Sequence, residues 1–282
     1  GFVRDLITGN KEPKDIDILI IGDGIYIAKK VCNILGLNDP TIYKRFGTAA
    51  FKFNEYDIEF VGSRKESYSK KSRNPVVEVG SFDDDLNRRD FTINTICVCL
   101  NSSNWGKIVD KFNGIEDIKN KIIKTPLDPA KTFCDDPLRM LRAIRFSCQL
   151  KFNIDSKALE SIYNEKKRIK IISGERIVDE LNKILMTNNP SKGFKILEQT
   201  GILSLIMPEL TALKGIEEIE GFKHKDNFFH TLEVLDNTCK TSNNLWLRWA
   251  ALLHDIGKAS TKKLVKNIGW TFHGHELRGS KM

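Results

Sequence analysis

Two aspartates alternate with isoleucine and then give way to an apolar run, Asp15-Ile16-Asp17-Ile18-Leu19-Ile20-Ile21. Residues 17–21 read as a buried strand, since the run is far shorter than the roughly 20 residues that cross a bilayer as a helix. The two-residue period of a strand points Asp15 and Asp17 to the same face. Carboxylates held together repel unless a cation neutralises them. Their oxygens suit Mg²⁺, which keeps several waters and takes further ligands from substrate phosphates. Two such ions about 4 Å apart activate an attacking hydroxyl and stabilise a leaving pyrophosphate. Exposed strand ends also carry acidic residues, so the pair taken alone leaves both readings open.

Residues 56–61, Tyr56-Asp57-Ile58-Glu59-Phe60-Val61, repeat the alternation. Laid beside the first strand, this segment offers a third carboxylate. Glu59 is preferred over Asp57, which points the same way, and the alternative is an edge strand with an acidic outer face. A turn at Asn54-Glu55 joins this strand to one at residues 48–53. Helical periodicity at residues 2–6 and 25–35 flanks the aspartate strand, with a turn at Gly22-Asp23-Gly24. Residues 64–85 are polar, with Lys70-Lys71-Ser72-Arg73 and then Asp83-Asp84-Asp85, and are expected to form a long mobile loop. An unstructured stretch of that length in a compact domain is more often functional than not. Residues 91–99 are expected in a helix and 107–110 in a last strand. Beyond Pro126 strands are expected to stop, and helical patterns follow at 137–150, 156–167, 174–186, 190–200, 227–238 and 245–254. The implied fold class is α+β: an α+β head, then an all-helical remainder.

The chain has 282 residues, room for one large domain or about two ordinary ones, with 40% hydrophobic and 29% charged residues. No membrane partner and no signal peptide are expected, and the sequence starts at Gly1 rather than at a Met. A net charge of +8 fits a polyanionic partner and fits a lysine-rich surface equally well. The runs Glu165-Lys166-Lys167-Arg168-Ile169-Lys170 and 192–195 can track RNA phosphates or simply form solvated helix faces. Six cysteines show no CxxC pair. They read as buried reduced thiols, with Cys97 and Cys99 on one strand face, and a cytoplasmic location is expected.

Four motifs occur in order: Gly1-Phe2-Val3-Arg4-Asp5, Pro13-Lys14-Asp15-Ile16-Asp17, Arg88-Arg89-Asp90-Phe91-Thr92-Ile93-Asn94, and Asp135-Asp136-Pro137-Leu138-Arg139-Met140-Leu141-Arg142-Ala143-Ile144-Arg145-Phe146. Together they resemble the signatures of class II tRNA nucleotidyltransferases, the CCA-adding enzymes, and of the related bacterial poly(A) polymerases. The resemblance covers residues 1 to about 215. It implies a polymerase-β-like head at residues 1–126 that lacks its first strand, and a helical neck and body at 127–221 that selects nucleotides and binds tRNA. It implies Asp15, Asp17 and Glu59 as catalytic carboxylates, with Mg²⁺ on Asp15 and Asp17. Gly1 and Arg4 match the motif that holds the triphosphate; a glycine allows close backbone approach and a guanidinium forks onto phosphate oxygens. Arg89 is implied to pair with phosphate and Asp90 to accept from a ribose hydroxyl.

Asp136 before Pro137 is an ordinary helix N-cap pair, and Asp136 and Arg139 then share one helix face at i and i+3. Cytosine and adenine both present an amino donor beside a ring-nitrogen acceptor. A carboxylate accepts from the first and an arginine donates to the second. Guanine and uracil leave both partners mismatched, which can discriminate by roughly 10⁴-fold. Arg142 and Arg145 continue the row and match the family's triphosphate-contacting arginines. The resemblance thus implies CCA addition to tRNA from CTP and ATP without a nucleic-acid template. Bacterial poly(A) polymerase is the alternative, and CC-adding or A-adding activity is a narrower one. The length of residues 64–85 argues against CC-only addition, because CC-adding relatives are shortened there.

Leu252-Leu253-His254-Asp255-Ile256-Gly257-Lys258 resembles the motif of HD phosphohydrolases, with His230 upstream and His273, His275 and Glu276 downstream. A second divalent metal on His230, His254 and Asp255 is implied. Residues 222–282 form a partial HD domain, because the downstream Asp of such domains is absent before Met282. A phosphohydrolase whose head merely binds nucleotide is the remaining alternative.

Overall fold

Residues 1–9, 12–69, 72–219 and 221–282 are described by a computed structural model, and the chain divides into two units, Gly1–Asp136 and Pro137–Met282. The first unit opens with α1 (Phe2–Ile7), β1 (Asp15–Ile20) and α2 (Gly24–Leu35), followed by β2 (Thr41–Tyr43), β3 (Thr48–Phe53) and β4 (Tyr56–Gly62). One sheet runs in the order β1-β4-β3-β2. β4 pairs with β1 in parallel and with β3 antiparallel. The parallel neighbours need a crossover, and α2 supplies it. Ile18, Ile20, Ile58 and Phe60 face a core with Ala28 and Val31 of α2, so the alternation that buries these residues turns Asp15, Asp17, Asp57 and Glu59 to the opposite face. The start of α2 lies so close to the sheet that a Cβ on Gly24 would stand 2.8 Å from the Gly62 nitrogen and 3.1 Å from the Gly47 carbonyl oxygen. Only glycine fits that backbone-to-backbone approach.

Residues 64–85 are not a loop. β5 (Arg64–Ser69) pairs antiparallel with β6 (Ser72–Val79), and α3 (Phe82–Asn87) follows. Its covered face carries the charged Arg64 and Glu66 rather than apolar side chains, so its polarity concealed it. Lys65 stands opposite Glu78, an opposite-charge pairing of the kind that stabilises a ribbon. Lys70 and Lys71 lie outside the described residues. The three aspartates each have a separate task. Asp84 completes a capping box with Ser81, Asp83 pairs with Lys111 at 2.8 Å, and Asp85 is fully buried.

Residues 91–99 are not a helix either. A single 3₁₀ turn, Thr92–Asn94, is followed by β7 (Cys97–Val98), which pairs with β8 (Ile108–Val109). Phe91 is extended, the Thr92 N–H donates to the Lys124 carbonyl at 2.8 Å, and the Thr95 hydroxyl donates to the Thr92 carbonyl at 2.7 Å. β-branched and hydroxyl side chains here take the backbone away from a helix. α4 (Gly114–Lys119), β9 (Ile122–Ile123) and α5 (Pro129–Asp135) complete the unit.

The second unit is helical, with α6 (Leu138–Leu150), β10 (Asn153–Ile154), α7 (Ser156–Glu165), α8 (Gly174–Leu185), α9 (Pro190–Gln199), α10 (Leu203–Ile206) and α11 (Pro208–Thr211). After β11 (Glu218–Ile219) and β12 (Phe222–Lys223) come α12 (Asn227–Thr241), α13 (Leu245–Leu253) and α14 (Lys258–Thr261). The hairpin of β13 (Lys263–Val265) and β14 (Gly269–Thr271) precedes α15 (His275–Ser280). Strands therefore do not stop at Pro126; those beyond it are two or three residues long, too short for a periodic signal. Arg248 of α13 is 1% exposed. It donates to the carbonyls of Leu185 (2.6 Å) and Thr187 (2.9 Å) at the end of α8, and to the Ser242 carbonyl (3.0 Å) at the end of α12. One guanidinium thus serves the negative ends of two helices. The fold class is α+β, a mixed-sheet head followed by a helical remainder. No helix among the described residues is long and apolar enough to cross a membrane.

Candidate functional site

The parallel pairing places Asp15 beside Asp57 and Asp17 beside Glu59. Asp15, Asp17 and Asp57 are exposed, whereas Glu59 is half-buried. Burial, and after it the neighbouring Asp17 charge, push the Glu59 carboxyl above the usual carboxylate range, with Arg64 opposing them. That environment separates Glu59 from Asp57. An all-oxygen set of carboxylates is what a hard divalent cation takes, and it fits Mg²⁺ rather than a soft metal.

Arginines surround this acidic face. A Cβ on Gly1 would stand 3.9 Å from an Asp17 carboxylate oxygen. Arg4 is buried and donates to the Asn94 side-chain oxygen at 2.5 Å and to Asp5 at 2.8 Å. Asn94 in turn donates to Asp90 at 2.9 Å, and the same Asp90 oxygen accepts the Phe91 N–H. Arg89 donates from Nη1 to the Asn94 carbonyl at 2.9 Å, and from Nε and Nη2 to Asp85 at 3.2 Å. Four residues expected at the nucleotide, Gly1, Arg4, Arg89 and Asp90, are therefore brought together, with Asn94 as the node. Asn94 and Asp85 were not singled out from sequence. Asp85 carried a signal, since Arg88 and Arg89 follow it at i+3 and i+4 on one helical turn.

In the second unit, Asp255 is buried and accepts from Lys258 Nζ at 2.7 Å. Around it stand the Nε2 atoms of His254 (3.2 Å), His275 (3.4 Å) and His230 (4.0 Å). His254 Nδ1 meets the Ala251 carbonyl at 2.8 Å and His275 Nδ1 meets the Phe272 carbonyl at 2.9 Å. A carbonyl only accepts, so Nδ1 donates in both rings and Nε2 is the nitrogen turned to the carboxylate, an orientation typical of histidines that ligate metals. Among the described residues, His230, His254 and Asp255 are a group of three whose ligand atoms all lie within 4.8 Å. His275 joins them, brought in by β13 and β14 rather than by sequence proximity. A cavity of about 530 Å³ lined by Lys223, His224, Lys225 and Phe229 opens beside His230.

Three family profiles match in order along the chain. The poly A polymerase head domain matches residues 1–124, the probable RNA and SrmB-binding site of polymerase A matches 151–214, and the HD domain matches 227–282. An A-adding tRNA nucleotidyltransferase of Geobacter sulfurreducens is 34% identical over 264 residues, 93% of this chain and 27% of that protein. A CCA-adding enzyme of Lactobacillus helveticus is 40% identical over 221 residues, 78% of this chain and 53% of that one. The solved structure of a Thermotoga maritima CCA-adding enzyme complexed with tRNA superimposes with a TM-score of 0.68 at 25% identity, covering 90% of this chain and 57% of that one. The chain belongs to the tRNA nucleotidyltransferase and poly(A) polymerase family. It spans between about a quarter and a half of the length of these two curated relatives.

The fourth nucleotidyltransferase motif straddles the two units. Asp136 ends the first in extended backbone, because a residue before proline is driven out of the helical region. It precedes α6 rather than sharing its face, and Pro137 takes the N-cap position. Arg139 is buried in the first turn of α6 and Arg142 is half-buried. Arg145 is buried, donates from Nε to Glu180 of α8 at 2.7 Å, and lies 4.2 Å from the Phe146 ring centre. Glu180 is a further residue that sequence alone did not single out. Of the basic runs, Lys192 is occupied by the carbonyls of Phe152 (2.8 Å) and Ser147 (3.1 Å), and Lys166 lies over the Tyr163 ring. Lys167, Lys170 and Lys195 are exposed. All six cysteines are free thiols.

Proposed function

We propose that this chain catalyses template-independent nucleotidyl transfer to the 3′ end of tRNA, completing the CCA sequence from CTP and ATP. The observation that carries the reading is the register of Asp17 beside Glu59 on the sheet face opposite the core, with Arg4, Arg89 and Asp90 in one hydrogen-bonded group nearby. Asp15 and Asp17 would hold Mg²⁺, with Glu59 completing the carboxylate set. The bound ion would lower the charge on the substrate phosphates and favour ionisation of the attacking hydroxyl. The chain's own part is positioning. Arg4 and Arg89 offer donors to the triphosphate, Gly1 keeps the backbone approach open, and Asp90 accepts from a ribose hydroxyl. Asp136 and Arg139 would read the amino and ring-nitrogen edge shared by C and A, and Arg142 and Arg145 would contact the triphosphate. The tRNA nucleotidyltransferase relatives support this assignment.

The proposed division is a nucleotidyltransferase head at 1–126, a neck and body at 127–221 and an HD segment at 222–282, in which His230, His254 and Asp255 hold a second divalent ion. Free thiols fit a reducing cytoplasm. A narrower reading, A addition only, is favoured by the A-adding Geobacter relative. The test is incubation with Mg²⁺, each labelled nucleotide in turn, and two acceptors: tRNA lacking its last three residues and tRNA ending in CC. Two C additions and one A support the main reading. A added only to the CC acceptor selects the narrower one, and an A homopolymer overturns both.

A further inference from the structure

The Asp85 carboxylate is fully buried and is shared by two arginines, one on each oxygen. Arg88 donates to Oδ1 from Nε at 2.9 Å and also from Nη2, while Arg89 donates to Oδ2 from Nε and Nη2, both at 3.2 Å. Arg88 also lies 3.4 Å from Glu66, whose side chain is 5% exposed. Glu66 also accepts from Arg64 Nε at 2.7 Å, so three arginines share two carboxylates in this cluster. The two ends of Arg89 differ. Its side edge, Nε with Nη2, is taken by Asp85, and one N–H of Nη1 is taken by the Asn94 carbonyl. A guanidinium has five N–H donors in one plane. With Nε and one Nη2 proton on Asp85, the second Nη2 proton lies on the end edge beside Nη1, and the side chain is 23% exposed. A fork of two parallel N–H groups matches the spacing of two phosphate oxygens. A long arginine side chain loses considerable rotamer freedom when it holds a ligand, and a buried acceptor fixed on the side edge removes that freedom in advance.

We propose that Asp85 is a positioning residue for the nucleotide triphosphate: it locks Arg89 by its side edge, so that the end edge stays presented to phosphate. This rests on the reading of Arg89 as a triphosphate-binding residue. The role is distinct from charge compensation alone, because it predicts coupling between Asp85 and Arg89 in nucleotide affinity.

The experiment is a double-mutant cycle on the full chain, reading the Kd for ATP with Mg²⁺ by titration calorimetry, and the KM and kcat for ATP with acceptor tRNA. Asp85→Asn keeps the side-chain shape and removes the charge. It is expected to raise Kd and KM by roughly 10-fold or more with kcat little changed. Arg89→Ala is expected to do the same. In the Arg89→Ala background, Asp85→Asn is then expected to change Kd by less than about twofold, because the two act as one unit. Independent multiplication of the two effects overturns the positioning role while leaving Arg89 as a nucleotide ligand. An unchanged Kd in Arg89→Ala overturns the functional reading of Arg89, and the proposal with it. Should Asp85→Asn fail to fold, the neutral pair Asp85→Asn with Arg88→Gln restores the charge balance and is read the same way. Failure of both to fold marks Asp85 as structural and overturns the proposal.

Discussion

Replacing Arg248 by Met should strip about 3–5 kcal/mol from the second unit, although Met fills nearly the same volume. A buried ion pair can often be exchanged for apolar residues without loss, because both partners are replaced together. Arg248 differs, because its acceptors are backbone carbonyls that stay behind. Leu185 and Thr187 are buried, and their carbonyls would lose donors at 2.6 and 2.9 Å. Each orphaned group costs about 1–3 kcal/mol. Ser242 is half-buried, so its carbonyl can be rehydrated and adds less. The ends of α8 and α12 also lose a cation at their negative poles, worth up to about 2 kcal/mol when partly buried. Against this stands the relief of removing a buried charge, which keeps the total below the simple sum. The assay is equilibrium urea unfolding followed by tryptophan emission, to which the second unit contributes Trp246, Trp249 and Trp270 of the four tryptophans. With an m-value of about 2 kcal/mol/M, the midpoint should fall by about 1.5–2.5 M. A loss below about 1 kcal/mol would refute the reasoning, since it would mean that these carbonyls find other partners.

Three further outcomes are expected. The Glu59 carboxyl is raised by burial and by Asp17, so the folded state binds its proton more tightly than the unfolded chain does. Stability therefore drops as pH rises from the ordinary carboxylate range through the raised value; in metal-free buffer Glu59→Gln should be the more stable protein above that window and equal to the parent below it, while Mg²⁺-dependent incorporation falls on the order of 10²-fold or more. Urea titrations across pH in metal-free buffer check the first, and labelled-nucleotide incorporation with Mg²⁺ checks the second. Gly24→Ala drives a methyl onto the Gly62 nitrogen and Gly47 carbonyl, and should destabilise the first unit by about 1–3 kcal/mol in thermal unfolding. His254→Ala should weaken divalent-ion binding at Asp255 at least about tenfold, read by Co²⁺ absorption, and leave incorporation by the head unchanged.

The aspartate strand was legible because only one strand register buries Ile18 and Ile20 while exposing Asp15 and Asp17, and parity alone then selected the face of Glu59. The long helices of the second unit were legible for the same reason, each burying a stripe at helical spacing. The β5–β6 ribbon was not, since its covered face carries the charged Arg64 and Glu66, which give no apolar alternation. Residues 91–99 looked helical by composition, yet Asp90, Thr92 and Thr95 hydrogen-bond the local backbone into an extended turn. Asp85 was hidden in an acidic run, where charge suggested exposure; its burial is set by Arg88 and Arg89, which lie on the next turn of chain. His275 needed the β13–β14 hairpin to reach Asp255, a long-range event that no local pattern encodes. The extended backbone of Asp136 was foreseeable from Pro137, whose ring constrains its predecessor.

The parallel pairing of β1 with β4 has a consequence for the order in which this protein matures. A hairpin can bring its two strands together as soon as both have left the ribosome, but β1 must wait while α2, β2 and β3 are made and laid down before β4 can slot beside it. Asp17 and Glu59 are strangers until that moment. A nascent chain cut short anywhere before β4 carries the aspartate pair, Gly1 and Arg4 but neither Glu59 nor the Arg89–Asp90 group, so the chemistry cannot start early on a half-made head. Any ion that needs both strands then binds only the finished sheet and draws the folding equilibrium toward it.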